Sequence, residues 1–170
     1  MPEPFRLAVQ KRLTEALEGI TIANGFYTDI GPGKVFRGRL YYGDSDPIPM
    51  LSILEEPIAA ETDLEPMGGT GGTTPYNLMV QGFVSDNQTD PTDPAHYLMA
   101  DVKKVLARLN KERIATDRVL AFPEKAPTVL DIEFGGGVVR PPDDLSAKAY
   151  FWLRVTLSLV EDNENPSVES

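Results

Sequence analysis

The sequence points to an α+β domain, a mainly antiparallel sheet of about five strands with two helices packed on one face. Three observations carry this. Two segments have apolar residues at helical spacing, several others alternate at strand spacing, and their order is helix, two strands, a long connection, strand, helix, two strands.

The first helix is expected over Pro4 to Glu18. Pro4 suits an opening turn, Phe5, Val9, Leu13, Ala16 and Leu17 share one side, and Gly19 stands where a left-handed cap commonly closes a helix. Asn24-Gly25 and Gly31-Pro32-Gly33 punctuate a loop. Val35 to Leu40 and Met50 to Glu55 then read as strands, able to pair as an antiparallel hairpin around the polar turn Tyr42 to Pro47. The stretch 57–74 is a long flexible loop containing Gly68-Gly69-Thr70-Gly71-Gly72, and Tyr76 to Val84 is the third strand.

The second helix begins at Asp93, a suitable N-cap, with Pro94 at its first position and Leu98, Val102, Val105, Leu106 and Leu109 as its apolar stripe. Asp101, Lys104 and Arg108 form the opposite side, read as an ordinary solvated face. Thr128 to Phe134 is the fourth strand, ended by Gly135-Gly136-Gly137. The fifth, Ala149 to Val160, sends Phe151, Leu153, Val155, Leu157 and Leu159 to one side and Trp152, Arg154, Thr156 and Ser158 to the other. Residues 1–160 thus form a single domain, and 161–170 read as a disordered acidic tail.

Composition narrows the function. Twenty-six acidic residues against 16 basic ones give a net charge of −10, which opposes binding to nucleic acid through clustered cations. There is no cysteine, which excludes disulfides, thiolate metal sites and cysteine nucleophiles. No apolar run is long enough to cross a bilayer and no leader pattern opens the chain, so a cytoplasmic protein with no membrane partner is expected.

The glycine-rich stretch resembles a phosphate cradle only superficially. A P-loop requires a lysine and a following helix, yet no lysine lies between Val35 and Asp101, and a strand follows. No nucleotide or other cofactor is therefore expected. The single histidine, His96, falls in the first turn of the second helix without a His-Glu-x-x-His partner or a Gly-x-Ser-x-Gly elbow. No catalytic or metal-binding set emerges. The carboxylates Glu55, Glu56, Glu61, Asp63 and Glu65 are read as a solvated acidic face, and as general acid–base or hard-cation groups only in an alternative, a metal-dependent hydrolase. A third reading is a regulatory binding domain contacting its partner through the acidic tail. Arg37 and Arg39 alternate on one face of the first strand, placed either to meet acidic groups on a neighbouring subunit or to solubilise an exposed sheet.

The order of parts resembles the tail terminator, or tail completion, proteins of long-tailed bacteriophages. The resemblance covers roughly residues 4–160. It is carried by the N-terminal helix ending at Gly19, Val35 to Arg39, the long loop before Tyr76 to Val84, the Asp93-Pro94-Ala95 helix start leading into Leu98 to Leu106, and the closing strand Tyr150 to Val160. It implies a non-enzymatic subunit of the virion tail, present in the host cytoplasm during assembly. Such a subunit forms a ring, typically a hexamer, on the tail tube, stops its polymerisation and meets the head connector. Another phage neck or head–tail joining role fits the same order of parts. Its partners would be further copies of itself, the tail tube protein and the head connector protein. On this reading the loop, with Glu61, Asp63, Glu65, Gly68, Gly69, Gly71 and Gly72, becomes ordered at a subunit or tube contact, with Arg37 and Arg39 as further interface residues.

Overall fold

The computed structural model describes residues 2–56, 71–116, 119–120, 122 and 128–168. Helix α1 spans Phe5–Glu18 and helix α2 Asp93–Thr116. Strands β2 (Val35–Arg37), β3 (Met50–Glu55), β4 (Gly71–Val84), β7 (Ala149–Asp162) and β5 (Thr128–Phe134) lie in that order across one sheet, and β6 (Val138–Arg140) adds to β7. A separate two-stranded ladder joins β1 (Glu3–Pro4) to β8 (Ser167–Val168).

Both helices cover one face, where Leu13 and Leu17 of α1 and Leu98 and Leu106 of α2 are fully enclosed against Leu78 and Leu153. Burying each such side chain contributes roughly 1.5–3 kcal/mol, so this layer dominates the stability of the fold. The alternation expected along β7 is present, with Phe151, Leu153, Val155, Leu157 and Leu159 all fully buried. Gly82 faces Phe151 across the β4–β7 ladder, and a Cβ there would lie 2.2 Å from the ring. The strand has no side chain at that point because the phenyl ring occupies its space.

Several expectations are corrected. β2 and β3 pair in parallel, not as a hairpin. Gly38, with φ of 76°, turns the chain out of β2, and residues 38–49 cross the outer face of the sheet before β3 begins. There Tyr42 and Ile48 pack on Met50, Phe83 and Tyr150, a second small core that sheet alternation alone does not reveal. Gly19 is right-handed, with φ of −71°; the left-handed residue is Gly25, which closes a short 3-10 turn, Ile22–Asn24.

The third strand starts five residues earlier than expected, at Gly71, because Gly71 to Pro75 pair with Ser158 to Asp162 of an equally long β7. The acidic tail is structured as far as Val168. The Pro166 carbonyl accepts the Phe5 N–H at 2.9 Å, supplying an acceptor at the open N-terminus of α1. Residues 57–70 and 169–170 lie outside the described residues.

Candidate functional site

Of the residues singled out in the sequence, Arg37, Arg39, Gly71 and Gly72 belong to the described part, whereas Glu61, Asp63, Glu65, Gly68 and Gly69 fall outside it. The structure does not place the two arginines on one face. Arg37 reaches the helix layer, where its Nη1 donates to Thr14 Oγ1 at 2.9 Å. Past the left-handed Gly38, Arg39 lies on the outer face, stacked 3.9 Å over the Phe36 ring and paired with Asp46. Gly71 and Gly72 oppose Asp162 and Glu161 in the ladder. A Cβ on Gly71 would stand 2.2 Å from the Glu161 carbonyl oxygen, so close strand approach requires a glycine at this position.

Beside this ladder a polar network ties α1 to the sheet. Arg6 donates Nε and Nη2 to the two Glu161 oxygens at 2.8 and 3.0 Å, and its guanidinium lies 4.8 Å from the centre of the Tyr76 ring. The Tyr76 hydroxyl donates to Glu55 at 2.5 Å and accepts from Gln10 Nε2 at 2.6 Å. Burial, and then the Glu55 carboxylate, push the Tyr76 hydroxyl above its usual range, keeping it protonated. The hydrogen bond from Arg6 holds the Glu161 carboxyl below the usual glutamate range. Of these groups, Arg6, Glu55 and Tyr76 line a recess of about 180 Å³. Their arrangement braces the helix against the sheet and gives neither Tyr76 nor Glu161 the pKa of a base working near neutrality.

The outer face is more open. A cross-strand row runs Ser52, Gln81, Trp152, Val138, with the Gln81 Nε2 donating to the Leu40 carbonyl at 3.1 Å and the Arg39 N–H to Ser52 Oγ at 3.2 Å. A groove of about 510 Å³ continues along Met79, Trp152, Arg154 and the Gly135–Gly137 turn. Arg154 pairs with Glu56 at 2.5 Å. The Trp152 indole N–H is enclosed and meets no acceptor among the described residues.

On the helix side, a cluster concealed from sequence reading centres on Asp101. This residue is buried, and its two oxygens accept the Tyr27 N–H at 3.1 Å and the Thr28 N–H at 2.8 Å. Lys104 donates to the Gly25 carbonyl at 3.0 Å, and Lys104 and Arg108 both lie over the Phe26 ring. The supposed solvated face of α2 therefore clamps residues 25–28. As a result Tyr27 is held against Tyr97, ring centres 5.0 Å apart, with both rings more than half exposed. His96 is exposed beside them.

No protein-family model matches the chain, and no curated protein matches it. Among the described residues, no three His, Asp or Glu side chains converge as ligands for a cation, and no helix is long and apolar enough to cross a membrane.

Proposed function

We propose that this protein is a structural assembly subunit of a phage tail. It forms a ring, hexameric on the pattern of the tail terminators it resembles, on the end of the tail tube, where it stops polymerisation and presents a surface to the head connector.

One observation carries the reading. Large apolar side chains stand in solvent: Tyr27 at 70% exposure, Tyr41 at 73%, Leu40 at 60% and Tyr97 at 54%. Aromatic groups held out of the core are characteristic material of protein–protein contacts. Support also comes from the ionisable groups, since Arg6, Arg39 and Arg154 are joined to carboxylates that hold elements together. The net charge of −10 adds a means of suppressing association with unintended partners.

The test is negative-stain imaging of the purified protein mixed with tail tubes assembled without it. Rings seated on one end of tubes of halted length are the expected result. Bare tubes that continue to lengthen would overturn the proposal.

A further inference from the structure

The two ends of the chain meet outside the main sheet. Strands β1 and β8 form a ladder of their own, with Glu3 opposite Val168 and Pro4 opposite Ser167, and the Phe5 N–H extends it to the Pro166 carbonyl. Between β7 and β8 the chain passes through Asn163, Glu164, Asn165 and Pro166, all exposed. Asp162, the last residue of β7, folds this segment back by accepting the Glu164 and Asn165 N–H groups on Oδ1 at 3.0 and 3.3 Å. Among the described residues, the hydrogen bonds of residues 163–168 therefore go to Asp162 at the hinge, to β1 and to Phe5, and to no other strand of the sheet.

Val168 is the one buried residue of the segment. With Ala8 and Ala16 of α1, Leu109 of α2, Val119 and Leu120 it lines a recess of about 600 Å³ between the helices. A two-residue ladder and one buried side chain are a small return for ordering six terminal residues, whereas β4 and β7 pair over 14 residues each. The rest of the molecule does not depend on the strap for its place. Arg6 grips Glu161 ahead of the hinge, Lys11 pairs with Glu3, and Leu13 and Leu17 are fully enclosed, so α1 and β1 stay when residues 163–168 leave.

We propose that residues 163–168 are a latch that opens by itself while the sheet and both helices stay in place. Closed, it sets Val168 into the recess and gives the first turn of α1 an acceptor for the Phe5 N–H. Open, it bares the apolar wall of the recess and leaves that N–H to solvent. The two states differ in the apolar surface shown between α1 and α2, and the chain's own end controls which is present.

Amide exchange read by NMR on the full chain is the test. The Phe5 amide should exchange at least about a hundredfold faster than those of Leu78 and Leu153 inside the β4–β7 ladder. Val168→Asp should quicken Phe5 about tenfold further and leave Leu78 and Leu153 as they were. The chain has no cysteine, so Pro4→Cys with Ser167→Cys gives a single disulfide across the small ladder. Oxidised, this variant should slow Phe5 toward the rate of the sheet, and reduction should restore the fast rate. A wild-type Phe5 amide no faster than Leu78 would overturn the proposal, because the segment then opens only with the sheet. A Phe5 rate untouched by both Val168→Asp and the disulfide would overturn it too, since the first turn of α1 then frays without the strap. Where Val168→Asp unfolds the chain, the wild-type comparison and the disulfide decide.

Discussion

Asp101 carries its carboxylate at 1% exposure and gives both oxygens to the backbone N–H groups of Tyr27 and Thr28. Replacing it with alanine leaves two partly buried donors without an acceptor, at a cost of roughly 2–4 kcal/mol. Asp101→Asn keeps one acceptor and should lose less. Urea unfolding midpoints of the two variants measure the difference.

Glu161 gives a pH prediction. Its folded-state carboxyl lies below the usual range because Arg6 donates to it, so the unfolded chain binds the proton more readily. The stabilisation is present above the ordinary glutamate range, about pH 4.3, and is lost as pH falls through the depressed folded value. Glu161→Gln should therefore flatten the acid limb of a stability–pH curve. At neutrality it should cost less than about 1 kcal/mol, since the Arg6 side chain is 46% exposed and its pairing is screened.

Single residues of this kind were poorly legible in the sequence. A carboxylate at a polar helix position reads as solvated unless the distant segment that buries it is known. By contrast His96, in a first helical turn, is exposed as its position implies.

Elements were more legible than their pairing. α2 and β7 follow their apolar periodicity closely, because burial on one side writes a period of 3.6 or 2 into the chain. The parallel β2–β3 pairing was hidden, since alternation carries no strand direction and Gly38 gives no sign of which way residues 38–49 turn. The start of β4 was hidden by Gly71 and Gly72, residues depleted in strands, whose place is set by contact with Glu161 some ninety positions away.

The outer edge of β5 yields the prediction for this scale. Asn110 of α2 accepts the Ile132 N–H at 3.0 Å and donates to the Ile132 carbonyl, occupying both backbone groups where another strand could add. The Val119 N–H reaches the Val129 carbonyl at 3.2 Å on the same strand. The sheet thus closes this edge from within. Asn110→Ala should cost about 1–2 kcal/mol. It should also raise concentration-dependent, thioflavin-positive association above the wild-type level, as followed by fluorescence at several protein concentrations.

At the scale of the molecule, one sheet separates two surfaces of different character. The helix side presents a tyrosine pair, Tyr27 and Tyr97, and the outer side presents exposed Leu40, Tyr41 and Val138 beside arginine–carboxylate pairs. The sequence announced the acidic balance and the absence of cysteine chemistry, whereas it could not announce the two surfaces, whose members are separated along the chain and meet only after the sheet forms. With β5 closed by Asn110, the exposed side chains of the two faces are the better material for association than that edge. Native mass spectrometry of the wild-type protein over a range of micromolar concentrations tests this most directly. A single closed oligomer, six subunits on the tail-terminator pattern, is the expected result. A monomer at every concentration would contradict it.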